Sequence, residues 1–236
     1  MRYKYLYGPL PSRRLGRSLG ISPIPGFHCN YSCIYCYVGR MHITNERVAF
    51  YPVEEIVEEV MDLISRLGED ALDVISIVGD GEPTLYLSIG ALIRGLKKIT
   101  SKPIAVITNG ALMSREDVRD DLLEADIVLP SMDAYDEKTF KAINRPHGEL
   151  KLDEIIDGIR SFSKVYRGRL WIETMIIKGI NDDRESIHKL KEILDTIEYE
   201  RLYINSPIRP VTEYGVDVAS AVDLDYAAEV LGGILI

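Results

Sequence analysis

The segment CNYSCIYC, residues 29–36, places all three cysteines of the chain within eight positions. Three is an awkward number for sulfur. Disulfides consume cysteines in pairs, and a closed structural zinc site takes four protein ligands. A four-iron cluster on three thiolates, by contrast, keeps one iron open to an outside ligand. Cys29, Cys33 and Cys36 meet that requirement with the spacing C-x3-C-x2-C.

Outward from the cysteines, the chain alternates between two kinds of segment. Apolar, β-branched runs occur at 18–24, 73–79, 104–108, 126–131, 170–177 and 201–207. Runs without strict polar alternation fit strands covered on both faces, as in a parallel sheet. Between them, Val53, Ile56, Val57, Val60, Met61, Ile64 and Leu67 recur at helical spacing, as do Leu152, Ile155, Ile156, Ile159 and Phe162. Helices are also expected near 88–98, 114–124, 136–143, 183–196 and 223–232. Strands alternating with helices imply an α/β protein built of right-handed βα units. Six units fit a partial (β/α)6 TIM-like barrel; periodicity alone leaves an open doubly wound sheet as the alternative. With no linker or repeat visible, residues 1–236 read as one domain. It has an N-terminal extension (1–17), a barrel core (18–207) and a C-terminal segment (208–236).

Polar residues collect where the strands end: Asp80 to Pro83, Thr108 to Gly110, Ser131 and Asp133, Asn205 and Ser206. In βα architectures that edge is where sites are assembled. The cysteine loop follows the first strand onto the same edge.

Charge is unevenly spread. Residues 1–50 hold seven basic side chains (Arg2, Lys4, Arg13, Arg14, Arg17, Arg40, Arg47) against Glu46, making +6, so the total of −9 leaves −15 for the rest. A basic zone beside the cysteines suits an anionic cofactor, substrate or nucleic acid; the plainer reading pairs these arginines with acids of their own chain. No stretch approaches the roughly 18 uninterrupted apolar residues of a membrane span. The first residues lack a signal-peptide core, so a cytoplasmic, thiol-reducing setting is expected.

The cysteine segment, with Tyr35 before its third cysteine, resembles the cluster motif of the radical S-adenosylmethionine (SAM) superfamily. GDGEP (79–83) resembles that superfamily's Gly-Gly-Glu-Pro segment, departing from it at Asp80. TNG (108–110) and SMDAYDEKTFKAINRP (131–146) match in order along the chain. Residues 7–36 most resemble uncharacterised proteins grouped with tRNA wyosine-base synthases. The tRNA enzymes carry further elements, including additional cysteines, that are missing here; compact activating enzymes of glycyl-radical proteins are a second comparison.

The resemblance implies a partial barrel of the radical SAM type, a [4Fe–4S] cluster on Cys29, Cys33 and Cys36, and SAM chelating the open iron. It further implies reductive cleavage of SAM to a 5′-deoxyadenosyl radical, hydrogen abstraction from an unidentified substrate, and an electron donor of the ferredoxin or flavodoxin type. Under it, Tyr35 packs near adenine, and Gly81, Glu82 and Pro83 shape the site of the SAM amino group. Asn109, Ser131, Asp133 and Glu173 reach ribose or carboxylate, and Asn205 and Ser206 approach the adenine. No catalytic acid or base is singled out.

Two rivals stand beside this reading. A Cys3His zinc site would recruit His28 or His42. A non-catalytic iron–sulfur protein that binds RNA would use the basic zone and the aromatic run YKYLY (3–7). Glu173, an acid within an apolar strand, needs a cavity or a partner such as Arg209 or Lys178, because an unpaired buried carboxylate is costly.

Overall fold

The computed structural model of the protein describes residues 3–209, 211 and 213–236. Its central parallel strands and its helices fall where the apolar spacing places them. Strands β1 (Leu6–Ser12) and β2 (Gly16–Ile21) come first, then the short β3 (His28–Cys29) and β4 (His42–Ile43) within the cysteine loop. They are followed by α1 (Val53–Leu67), β5 (Val74–Ile77), α2 (Ile89–Lys97), β6 (Ile104–Thr108), α3 (Glu116–Leu122) and β7 (Ile127–Pro130). Two helices, α4 (Glu137–Ile143) and α5 (Leu152–Val165), lead to β8 (Arg169–Met175). The chain closes with α6 (Arg184–Leu194), β9 (Arg201–Asn205), α7 (Ala221–Leu231) and β10 (Ile234–Leu235).

The sheet order is β1-β2-β5-β6-β7-β8-β9-β10, with β1 antiparallel to β2 and every later pairing parallel. This order never reverses. A doubly wound sheet reverses at a switch point and carries helices on both faces, whereas a monotone order of right-handed units puts them all on one side. The sheet therefore curls into a partial barrel, open between β1 and β10, which are not paired among the described residues.

Two apolar layers result. The outer one joins strand residues such as Leu19, Ile75, Val106, Val128 and Ile172 to helix residues such as Ile56, Val60, Leu92, Ile159 and Leu190. The inner one gathers the alternate strand positions Val74, Ala105, Ile127, Leu129, Trp171 and Tyr203 around Leu15, which the β1–β2 turn inserts. Both faces of each central strand are thus covered, which is why VISI and IVLP are buried at every residue.

Two boundaries differ from the sequence reading. The first parallel strand ends at Ile21 rather than residue 24, because Pro23 and Pro25 offer no N–H to a ladder. Residues 6–12, with Pro9 and Pro11, give little strand signal yet form β1, since proline is tolerated on an outer edge. The apolar C-terminus adds β10 alongside β9.

Candidate functional site

The cysteine loop leaves β2 at the C-terminal edge of the sheet and is held there from several sides. Glu82 N–H donates to the His28 carbonyl at 3.0 Å, and Phe27 N–H donates to the Asp80 carbonyl at 2.9 Å. Gly81 sits in this close approach, and a β-carbon on it would overlap the His28 carbonyl oxygen. From the other side, Ser32 and Ile34 N–H donate to the Asn144 and Ile143 carbonyls at the end of α4, both at 2.9 Å. Tyr31 packs edge-on against Phe140 of the same helix, with ring centroids 5.3 Å apart. The loop is thus clamped between the GDGEP turn and α4.

The three thiols are free and half-buried. Burial pushes the Cys29 thiol well above its ordinary range and the Cys33 thiol up to about 12. The sulfurs of Cys29 and Cys33 nonetheless face N–H donors. Tyr31 N–H lies 3.4 Å from Cys29 Sγ, Asn109 Nδ2 lies 3.5 Å from the same sulfur, and Asn144 Nδ2 lies 3.4 Å from Cys33 Sγ. Fully buried Asn30 has its Nδ2 unpartnered, while its Oδ1 accepts from Asn109 Nδ2 at 2.6 Å. Three reduced thiols, two of them with amide donors aimed at them, beside an orphaned buried amide, suit an iron–sulfur cluster. Such clusters take thiolate ligands, and hydrogen bonds to the sulfurs tune their potential. His28 Nδ1 lies 3.2 Å from the Pro25 and Gly26 carbonyl oxygens and donates there.

The residues expected around the cofactor divide by what their polar atoms do. Glu82 is buried and fully used. Its Oε1 accepts from Thr84 N–H (3.0 Å) and the hydroxyls of Thr84 and Thr108 (2.5 Å each), and its Oε2 accepts from Asn109 N–H at 2.8 Å. It caps the short turn Pro83–Leu85 and also staples that turn to β6. Burial raises its carboxyl against those hydrogen bonds. Asp133 is similar. It accepts from Tyr35 Oη (2.6 Å), Asn144 Nδ2 (2.9 Å) and Met175 N–H (2.9 Å), and burial likewise raises it. Tyr35 is thereby tied to the end of β7. Ser206 is buried too, bridging the Ile176 carbonyl at 2.8 Å and Ala219 N–H at 3.1 Å. Asn109 points its amide at the cysteine loop, as above. Ser131, at the end of β7, is half-buried, and its hydroxyl makes no side-chain hydrogen bond among the described residues.

Glu173 faces the barrel interior and pairs with neither Arg209 nor Lys178. Its Oε2 meets Arg14, carried inward by the β1–β2 turn, and its Oε1 accepts from Asn205 Nδ2 at 2.8 Å. Arg13 Nη2 in turn lies 3.4 Å from Asn205 Oδ1. The hairpin turn therefore spans the open side of the barrel to β8 and β9.

Most of the basic zone is internally paired. Lys4 meets Glu55, Arg14 meets Glu173, Arg17 meets Asp73, Arg40 meets Glu213, and Arg47 meets Asp117 and Asp121. Arg2 lies outside the described residues. Sequence reasoning passed over Asn30, Asn144 and Asn181, and placed Arg14 in a basic zone for an anionic partner rather than on Glu173. Asn144 stands inside the 131–146 segment already singled out, and Asn30 follows the first cysteine, so a search for amides beside the motifs finds both. Asn181, whose Nδ2 donates to the Asp133 and Met175 carbonyls at 2.9 Å, carries no such signal. A cleft of about 570 Å³ opens at the opposite sheet edge, by Tyr166, Leu170 and Glu200, and none of the candidate residues lines it.

The profile of the Radical SAM superfamily matches residues 24–191. A UPF0026 protein of Methanocaldococcus jannaschii is 45% identical over 208 residues, covering 88% of this chain and 64% of that protein. The chain thus spans less than two thirds of that relative's length. A UPF0026 protein of Synechocystis is 34% identical, covering 87% of this chain and 76% of that protein. Among solved structures, TYW1 with a lysine-pyruvate adduct bound superposes with a TM-score of 0.68 at 21% identity, covering 91% of this chain and 72% of the other, a likeness of fold. With the profile spanning most of the barrel and the cysteine loop lying inside it, the chain belongs to the radical SAM superfamily, whose enzymes use a [4Fe–4S] cluster and S-adenosylmethionine.

Proposed function

We propose that the chain is a radical SAM enzyme that binds one [4Fe–4S] cluster through Cys29, Cys33 and Cys36 and reductively cleaves SAM. The observation that carries this reading is the set of amide donors from Tyr31, Asn109 and Asn144 facing the Cys29 and Cys33 sulfurs of a clamped three-cysteine loop. When bound, the cluster and SAM supply one-electron cleavage of a sulfonium to a 5′-deoxyadenosyl radical that abstracts a substrate hydrogen.

The chain's own residues supply orientation and shelter. Asn109 and Asn144 hold the loop through sulfur while Glu82 accepts from Asn109 N–H and Asp133 from Asn144 Nδ2, so a shift at β6 or α4 is felt at the thiols. Tyr35, Gly81, Glu82 and Pro83 shape the wall where SAM binds. Ser131 presents for it a hydroxyl that is free among the described residues, while Asn109, Asp133, Glu173, Asn205 and Ser206 act by positioning. The low-potential electron comes from a ferredoxin or flavodoxin in the reducing cytoplasm. Internal pairing of the arginines removes the main argument for an RNA-binding role without catalysis.

The test is anaerobic cluster reconstitution, reduction, and chromatographic assay of 5′-deoxyadenosine. Wild-type protein should carry about four irons per chain and release the nucleoside only when reduced. Cys33→Ala should lose both colour and product with an unchanged circular dichroism spectrum. Loaded, reduced protein that leaves SAM intact would overturn the reading.

A further inference from the structure

Among the described residues, three buried side-chain polar atoms lack a hydrogen-bond partner: Asn30 Nδ2, Asn45 Oδ1 and Thr174 Oγ1. Only Asn30 leaves a nitrogen unused, and it is the residue that follows the first cysteine. Its backbone carbonyl accepts from His147 N–H at 2.8 Å, and the whole residue is buried. The direction of its amide follows from its neighbours. Ala111 N–H can only donate, so the Asn109 atom that it meets at 2.9 Å is the oxygen, Oδ1. Asn109 therefore turns its Nδ2 towards Asn30, where the atom that receives it, at 2.6 Å, is the Asn30 oxygen. Exchanging the oxygen and nitrogen of Asn30 would set two donors face to face. A relay of fixed polarity thus runs from Ala111 through Asn109 and ends in the Asn30 Nδ2 group, which faces no acceptor among the described residues.

A buried N–H without an acceptor forfeits its solvation, and folded chains seldom leave one so. The Asn109 nitrogen that meets Asn30 also lies 3.5 Å from Cys29 Sγ, which sets the Asn30 carboxamide beside that sulfur. The other amides at this place, from Tyr31, Asn109 and Asn144, all direct an N–H at sulfur. The chemistry that completes Asn30 is then of the same kind, a soft anionic sulfur.

We infer that Asn30 Nδ2 donates a hydrogen bond to a sulfur of the cluster and so raises its reduction potential. This rests on the cluster assignment proposed above and adds the side chain that tunes it. Reduction places a further negative charge on the cluster. An N–H donor stabilises that charge, the more so where the local dielectric is low, so the reduced state gains more than the oxidised one.

The test is an EPR-monitored redox titration of oxygen-free, cluster-loaded protein without SAM. Asn30→Ala removes the donor; Asn30→Asp replaces it with an acceptor while keeping an oxygen for Asn109. Both variants should hold about four irons per chain and titrate at a more negative potential, Asn30→Asp further than Asn30→Ala. For Asn30→Ala the reduction equilibrium should move by about tenfold, which is about 59 mV for one electron. Wild-type protein reconstituted in heavy water should also show, in pulsed EPR of the reduced cluster, a deuterium coupling that Asn30→Ala loses and Asn144→Ala keeps. An unshifted potential in Asn30→Ala, or no lost coupling, overturns the inference. Loss of iron from both variants overturns it too, by assigning Asn30 to building the loop, as does an unshifted potential with weakened SAM binding, by assigning the amide to SAM. Because the potential is read without SAM or turnover, the two proposals fail separately. Protein that cleaves SAM while Asn30→Ala keeps the wild-type potential loses this inference alone. Protein whose potential shifts but which leaves SAM intact loses the enzymatic reading alone.

Discussion

Replacing Arg14 with methionine removes the one cation that meets Glu173 among the described residues. The side chains are 22% and 10% exposed, so the pair is mostly withdrawn from water. Deleting one partner of a buried pair costs about 3–5 kcal/mol, because the other charge is left uncompensated. Two features reduce the figure here. About a fifth of the arginine already meets solvent, and Asn205 Nδ2 still donates to Glu173 Oε1 at 2.8 Å. The expected loss is therefore about 2–3 kcal/mol. In a chain of this size that lowers the melting midpoint by about 4–12 °C. Arg14→Met/Glu173→Met removes both charges and should fall within about 1 kcal/mol of wild type, giving a coupling energy of at least about 1 kcal/mol. Urea unfolding followed by circular dichroism in oxygen-free buffer measures all the corners of the cycle. A single variant losing less than about 0.5 kcal/mol, or a double variant equal to the sum of its parts, would refute the claim that this ion pair closes the hairpin onto β8.

Gly81→Ala should cut iron content after reconstitution without changing helix content, because the added carbon meets the His28 carbonyl and pushes the two loops apart; full iron loading contradicts this. Asn144→Ala removes an N–H donor from Cys33 Sγ and should move the cluster potential to more negative values. An unshifted potential in an EPR-monitored titration would show that this contact does not reach the cluster. Asp73 is held at about 2, below the ordinary carboxylate value of 3.8, chiefly by the Arg17 side chain and then by its N–H. Its contribution is present above about pH 4 and lost as pH falls towards 2. Asp73→Asn should flatten that limb of urea midpoint against pH, and an unaltered acid limb would remove Asp73 from the account.

Much of the architecture and the cysteine loop was legible in the sequence. The runs at 73–79 and 126–131 show burial on both faces directly, because a strand covered twice admits few polar residues. β1 escaped notice, since its prolines argue against a strand until the neighbouring edge is known. The candidate site was legible in part. The cysteines and GDGEP carry their chemistry in spacing, but Asp133, expected to face a ligand, has its carboxylate taken by Tyr35, Asn144 and Met175. Which of two polar roles a buried acid plays depends on donors supplied by other segments, and no local pattern encodes them.

Short-range order therefore settles the helix and strand periods, the three-thiol donor set and the edge on which the cysteine loop lies. These depend on neighbours a few residues apart, where covalent geometry leaves little choice. Packing decides the pairing of charges. Arg13 and Asn205, 192 residues apart, meet because the sheet curls until its first hairpin faces its last strands. Coulombic and hydrogen-bonding partners are chosen by distance in space, so Arg14 came to rest on Glu173 while its neighbour Arg13 met the Asn205 amide.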